Sequence, residues 1–426
     1  MKLWEKGYSI DSLVEQFTVG NDRELDLRLA IHDVKASMAH ARMLKTIGIL
    51  RIDELEQILK VFEDIIIEIE SGSFTIGAEF EDIHSKLEHV LVDRLGETGK
   101  KIHTARSRND QVLVDLHLYV KEEIVVLKQL MQSLFNRLLE LGEAHQDKLM
   151  PGYTHMQIAM PSSFGLWFGS YAESLIDDVI MLKAAYQIAD QNPLGSAAGY
   201  GSSFPINREM TTRELGFSTM KYNVVAAQMS RGKLEQTLSY AMASVGNSMS
   251  KLASDICIYM SQNFGFIQFP KEFTTGSSIM PHKQNPDVFE LIRGKCNRIQ
   301  NLPGEIALLI NSLPSGYHRD FQLLKEPLFR AIDNLKEVLN VTEFMLRHIQ
   351  VNKHIMEDEL YRHAFSVEEV NKLVMDGMSF RDAYEKVGKD ILNGNFKHST
   401  QIQHSHTGSI HNPCFNEIRQ KMRNLN

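Results

Sequence analysis

The sequence predicts an all-α fold, a central bundle of long helices with smaller N- and C-terminal helical regions. Three observations predict it. Apolar residues recur every three or four positions over long stretches, these stretches lack internal breakers, and no stretch sustains period-two alternation. The clearest runs from Leu234 through Leu238, Ala241, Val245, Met249, Leu252 and Ile256 to Tyr259, all on one helical face. A helix of about 25 residues extends about 37 Å, the scale of a bundle element.

In chain order, residues 1–102 read as a mixed N-terminal domain of short helices and loops. Residues 103–350 carry the long helices, and 351–426 form a small, polar C-terminal helical domain. The central helices are expected over about 112–145, 161–189, 234–259 and 324–350. A further one starts near Pro286 and is expected to kink at Pro303, where a backbone donor is missing. At 426 residues the chain is long for one compact core.

Composition narrows the function classes. A formal net charge of −8 and a pI near 6.1 give no footing for nucleic acid or an anionic membrane as partner. Hydrophobic content of 43% and charged content of 23% are those of a globular protein. The longest apolar runs, such as Ile65–Ile67, are too short to span a bilayer. The opening "MKLWEKGYSI" lacks an apolar signal core, so no secretion is expected. Cys257, Cys296 and Cys414 are odd in number and widely spaced without a CxxC, which fits a reducing cytoplasm; all three read as small buried hydrophobes. The histidine-rich "KHSTQIQHSHTGSIH" fits no standard ligand spacing, so no metal is expected.

Three short stretches carry chemistry. "TTGSSIMPHKQNPDVFE" (274–290) places Ser277, Ser278, Lys283, Asn285 and Glu290 in a glycine-containing loop that leads into a helix. Asn285 reads as the cap and Pro286 as the first helical residue. Exposed amides, hydroxyls, a lysine and the positive helix end together suit a carboxylate or phosphate, although capped helix starts are also ordinary structure. "HTARSRNDQV" (103–112) sets Arg106, Arg108 and Asn109 just before a long helix. Ser107 and Asp110 have capping-box spacing, and the arginines are either solvated charge or bidentate carboxylate ligands. "PGYTHMQIAMPSS" (151–163) reads as a turn, a short polar segment and a helix entry, with Tyr153, Thr154, His155 and Gln157 nearly in a row. A histidine between a hydroxyl and an amide is a better catalytic candidate than a lone one.

These stretches resemble the signature regions of the fumarase/aspartase superfamily, whose members eliminate fumarate from substituted succinates. "GSSIMPHKQNP" matches the shared signature at every fixed position. "TARSRNDQ" and "GYTHMQ" are similar to the argininosuccinate lyase family, not to fumarase, aspartase or adenylosuccinate lyase. "EDIHSKLE" (81–88), "LPSGYHRDFQLLKE" (313–326) and "GMSFRDAYEKVG" (377–388) agree, so the resemblance covers nearly the whole chain. It implies a carbon–nitrogen lyase of arginine biosynthesis that splits argininosuccinate reversibly into arginine and fumarate without a cofactor. Another fumarate-releasing lyase acting on a related N-substituted aspartate is the alternative. It also implies a homotetramer whose sites combine the 103–111, 153–157 and 276–290 regions of three subunits.

The resemblance assigns roles by position. Ser277 is the base, stabilised by cations and amides in a water-excluded loop. Lys283 is placed to offset the charge that develops on the substrate. His155 serves the departing nitrogen and is paired with Glu290. Arg108, Asn109, Thr154, Asn285, Tyr317, Gln322 and Lys325 match substrate contacts, with Lys325 and Arg108 suited to succinate carboxylates. Asp82 is suited to the arginine moiety or to holding its loop.

The sequence also departs from the family. Asp22, in "FTVGNDRELDLRL", falls where a substrate-binding serine is usual. A carboxylate there would repel substrate carboxylates, which shifts the expected binding to Asn21, Arg23 or main-chain amides. Residues 192–209 and 223–233 differ from the usual patterns, and Tyr384 replaces a frequent histidine. These changes touch substrate contacts and leave the elimination chemistry intact.

Overall fold

The computed structural model describes residues 11–425, so the opening decapeptide in which no signal core was read lies outside the described residues. The fold is helical, as predicted. Five long helices dominate: Arg108–Ala144, Phe164–Ala189, Lys233–Tyr259, Asp287–Ile310 and Lys325–Leu346. All five lie close to the expected ranges because each keeps its apolar spacing to its ends. The Asp287–Ile310 helix continues through Pro303. Among the described residues no helix is long and apolar enough to cross a membrane.

Contacts divide the chain into two compact units. Among the described residues, one contains 11–127, 181–243 and 301–333; the other contains 128–180, 244–300 and 334–425. Every boundary falls inside a long helix.

In the first unit, the N-terminal helices are longer than the expected short segments. Ala30–Thr46 has 17 residues and Ile52–Glu70 has 19. They bury Val34, Leu44, Ile58, Phe62 and Ile65 against Ile83, Leu87 and Leu91 of the Ile83–Leu95 helix. A small parallel pairing of Gln191–Asn192 with Thr219–Met220 lies in the same unit. Arg208 anchors it by donating to the carbonyls of Leu194, Lys221 and Tyr222.

In the second unit, an antiparallel hairpin joins Leu149–Thr154 to Gln157–Ser163. The expected turn and short polar segment are thus paired strands, and the expected helix entry follows at Phe164. Pro151, Gly152 and Pro161 suppress the usual strand pattern, yet Pro151 pairs opposite Pro161 and the register shifts between Pro151 and Tyr153. Tyr153 reaches an aromatic group with Phe264 and Phe266. Trp167 Nε1 and Tyr171 Oη both donate to Asp255 Oδ2, at 3.0 and 2.6 Å. The C-terminal helices Ser366–Met375 and Phe380–Leu392 close over Val370, Ala383, Val387 and Phe396.

Of the cysteines, only Cys296 is buried, and burial pushes its thiol to about 12. Cys257 and Cys414 are half-buried, which corrects the expectation for those two: Cys414 sits in a left-handed turn with Sγ 3.4 Å from the Asn412 carbonyl.

Candidate active site

The 275–290 segment belongs to the second unit. Asn285 N donates to the Thr275 carbonyl at 2.8 Å, closing the neck of the loop. Asn285 Nδ2 reaches back to the Gly276 carbonyl at 3.3 Å. The side chain therefore ties the loop rather than capping the helix. The first helical carbonyl is that of Pro286, which accepts from Phe289 N at 2.9 Å and Glu290 N at 3.1 Å. This corrects the expected cap by one residue, because the Asn285 side chain is already committed to the loop neck. Ser277 is half-buried, and its Oγ accepts from Met280 N at 3.1 Å and Ile279 N at 3.4 Å. Lys283 and Glu290 are exposed.

His155 and Met156 form the two-residue turn of the hairpin, with φ of 51° and 59°. Positive φ at both central positions is the geometry that follows the twist of paired strands. Thr154, His155 and Gln157 are all exposed at this tip. Among the described residues no hydrogen bond or ion pair joins His155 to Glu290.

The first unit carries a cleft of about 120 Å³. It is lined by six of the sequence candidates: Asp82, Arg108, Asn109, Tyr317, Gln322 and Lys325. The other six, Thr154, His155, Ser277, Lys283, Asn285 and Glu290, do not line it. Lys283 and Asn285 instead border a separate opening in the second unit with Cys257 and Met280.

The Arg108–Ala144 helix begins at the cleft through one half of the expected capping box, with the Ser107 hydroxyl taking the amide of Asn109 instead of that of Asp110. Asp110 Oδ1 accepts from Ser107 N at 2.9 Å, and Ser107 Oγ accepts from Asn109 N at 3.3 Å. Asp110 is fully buried, and its Oδ2 also accepts from Gly195 N and Ala197 N at 3.1 and 2.9 Å, which pins the 192–209 loop to this helix start. Burial pushes its carboxyl up to about 6, against the pull of those amides.

Arg108 Nη1 lies 2.9 Å from Glu81 and 3.2 Å from Asp82, while its Nη2 is buried without a partner. Asp82 caps the Ile83–Leu95 helix by accepting from Ser85 N at 2.8 Å. Burial would raise its carboxyl, but His84 and Arg108 outweigh that and hold it below the usual range. Gln322 donates to the carbonyls of Thr18 and Val19. Lys325 is buried, with Nζ 2.6 Å from Asp22 and 2.7 Å from Asp26. Burial would lower its ammonium, but Asp26 and Asp22 more than compensate and raise it. Arg23 donates to the Phe80 and Ala78 carbonyls and so braces the 78–80 loop.

Behind the cleft lies a network that sequence reading missed. His84 Nδ1 donates to Asp33 Oδ2 at 2.6 Å, and Asp33 Oδ1 accepts from Ser37 Oγ at 3.0 Å. Arg106 Nη1 donates to Ser37 Oγ at 2.7 Å. The ionic form of the pair is favoured on both sides. Burial opposes each charge, but Asp33 raises His84 and His84 lowers Asp33. Asp115, fully buried, has its carboxyl driven well up by burial and by Asp33. The ligand-capable atoms of Asp33, His84 and Asp115 lie within 4.8 Å of one another. His84 sits inside "EDIHSKLE", but nothing local marks its partners.

A family model described as "Lyase" matches residues 6–301. Argininosuccinate lyase of Bacteroides fragilis is 55% identical over 421 residues, covering 99% of this chain and 94% of that protein. Argininosuccinate lyase of Phocaeicola vulgatus is 54% identical over 424 residues, covering 100% and 95%. Among solved structures, the class II fumarase of Schistosoma mansoni superposes with a TM-score of 0.73 at 17% identity, covering 96% of this chain and 94% of that one.

Proposed function

The chain belongs to the argininosuccinate lyase family of the fumarase/aspartase superfamily, and from that premise we propose how its residues divide the work. The reaction is a reversible β-elimination by a carbon–nitrogen lyase, argininosuccinate giving arginine and fumarate. A base removes a proton from the carbon next to a succinyl carboxylate. The electron pair is held in that carboxylate as a doubly charged aci form, then forms the fumarate double bond as the carbon–nitrogen bond breaks. The nitrogen leaves with the bonding pair and takes a proton.

Ser277 is the base. The amides that point at its Oγ are the donors an alkoxide needs. Lys283 and the N-terminus of the Asp287–Ile310 helix supply positive potential as the aci form develops. His155, paired with Glu290, serves the departing guanidino nitrogen. Thr154 and Asn285 hold substrate beside them, and Arg108, Asn109, Tyr317, Gln322, Lys325 and Asp82 form the binding wall in the cleft.

The protein works as a homotetramer with composite sites, drawing 103–111, 153–157 and 276–290 from three subunits. Exposed Ile180, Leu291 and Leu308 on the long helices support an assembly that covers them. In chain order the zones 1–102, 103–350 and 351–426 serve as its domains, and a reducing cytoplasm suits its three free cysteines.

The observation that carries the reading is the near-full-length likeness to argininosuccinate lyases. Purified protein incubated with argininosuccinate should raise fumarate absorbance. Release from adenylosuccinate or another N-substituted aspartate, and none from argininosuccinate, would replace the substrate assignment.

A further inference from the structure

Asp22, Asp26 and Lys325 make an ionic unit at one end of the cleft. Asp22 and Asp26 are four residues apart on the Asp22–Asp26 helix, so their carboxylates lie on one side of it. Lys325 Nζ sits between them at 2.6 and 2.7 Å, only 4% exposed. Asp26 is committed on both oxygens, Oδ1 to Lys325 and Oδ2 to Ile83 N at 3.2 Å. Asp22 gives Oδ1 to Lys325, its one ion-pair partner among the described residues, and lines the cleft.

The other cations of the cleft also have partners, although Arg108 Nη2 is left without one. Arg231 donates to Glu235 and the Phe321 carbonyl, Arg319 to the Thr18 carbonyl, and Arg108 to Glu81. Two carboxylates against one ammonium leave excess negative charge at the Asp22 end. A substrate carboxylate brought to Lys325 would meet two like charges first.

We propose that Asp22 is a specificity-determining residue that turns this end of the cleft into a cation subsite. It receives a positive group of the amino-acid half, the guanidinium or the α-ammonium, and withdraws Lys325 from carboxylate binding. The inference rests on the lyase reading only for the identity of the ligand. It explains how a chain with aspartate in place of the expected serine keeps its substrate: the residue accepts the cationic end instead of repelling the anionic one.

The test is calorimetric binding to the full-length protein and its Asp22→Ser and Asp22→Asn variants. The ligands are L-arginine, L-citrulline with a neutral side-chain end, 5-guanidinopentanoate without an α-ammonium, and succinate. L-Arginine should weaken at least tenfold in both variants while succinate stays within threefold or tightens. The analogue lacking the group that Asp22 holds should bind wild type weakly and lose nothing further in the variants, which distinguishes guanidinium from ammonium. Arginine binding within twofold of wild type in the variants overturns the proposal. So does an equal loss for arginine and succinate, the mark of a merely structural aspartate. If helical circular dichroism shows the variants unfolded, wild type decides alone: equal affinity for arginine and both analogues overturns it. Arginine binding without fumarate release from argininosuccinate would sink the lyase reading and leave this one standing.

Discussion

Replacing Lys325 with methionine removes one charge and strands two. Lys325→Met keeps much of the apolar stem but leaves the Asp22 and Asp26 carboxylates facing each other, at side-chain exposures of 14% and 2%. Breaking a buried ion pair by removing one partner costs about 3–5 kcal/mol, and here two acceptors lose the same donor. The upper half of that range is therefore expected at pH 7. The deficit should depend on pH. With the cation gone, like-charge repulsion and burial raise the carboxyl pKa values of the folded variant above the unfolded value of about 3.9. A carboxyl raised in the folded state takes up its proton on folding, so the variant gains on wild type as pH falls toward about 4. Near that pH the deficit should shrink to about 1–2 kcal/mol, the loss of ordinary hydrogen bonding. The double variant Lys325→Met/Asp22→Asn should recover part of the loss at pH 7 by removing one stranded charge. Guanidinium unfolding followed by circular dichroism, at one protein concentration and at pH 4.5, 6 and 7.5, measures all of this. A Lys325→Met deficit under about 1 kcal/mol at pH 7.5, or one that does not change with pH, would refute the reasoning.

Other perturbations report on the proposed chemistry. Ser277→Ala should lower turnover by about 10²–10⁴-fold with far less effect on substrate binding, and Ser278→Ala should cost much less; near-normal kcat in the first would remove Ser277 as base. His155→Ala and Ser277→Ala should each be nearly inactive, yet regain about a quarter of sites when dissociated and reassembled at one to one, since each site needs an intact loop from two different subunits. Recovery no greater than the separate variants, with a tetramer confirmed by light scattering, would place both loops of a site in one chain. His84→Asn should destabilise the fold most between about pH 4 and 6.5, where the unfolded aspartate is charged and the unfolded imidazolium is still protonated. Because the folded imidazolium is raised, that loss should fade as pH climbs through its folded value, and should fade on the acid side as Asp33 is protonated. A pH-independent difference between the two proteins would mean that His84 is buried neutral.

The long helices were legible because a single property, apolar spacing, repeats over many turns and tolerates local errors. The 149–163 hairpin was not, since Pro151, Gly152 and Pro161 erase the alternation that marks strands, and the pairing is fixed instead by backbone geometry. The candidates of the cleft were legible as types, but not their state. Nothing near Lys325 in the chain announces Asp22 and Asp26, and Gln322 spends its amide on the carbonyls of Thr18 and Val19. The same holds for Asp33, His84 and Arg106, which meet only through packing of separate helices. The 274–290 stretch was legible as a glycine-containing loop that leads into a helix, whereas the duty of Asn285 could be seen only once its amide was placed on the Gly276 carbonyl.

The turn at His155 and Met156 has a consequence for anyone who tries to stabilise this protein. Both residues occupy a left-handed backbone conformation that disfavours side chains by about 1–2 kcal/mol each. Asn-Gly would fit the same turn without that penalty. A search guided by melting temperature would therefore be drawn to these two positions, and whatever is gained at the first of them is gained by deleting the imidazole. Under the role proposed for His155, selection for heat resistance and selection for turnover pull in opposite directions on this residue, so a library that varies it must be screened for product before it is screened for stability.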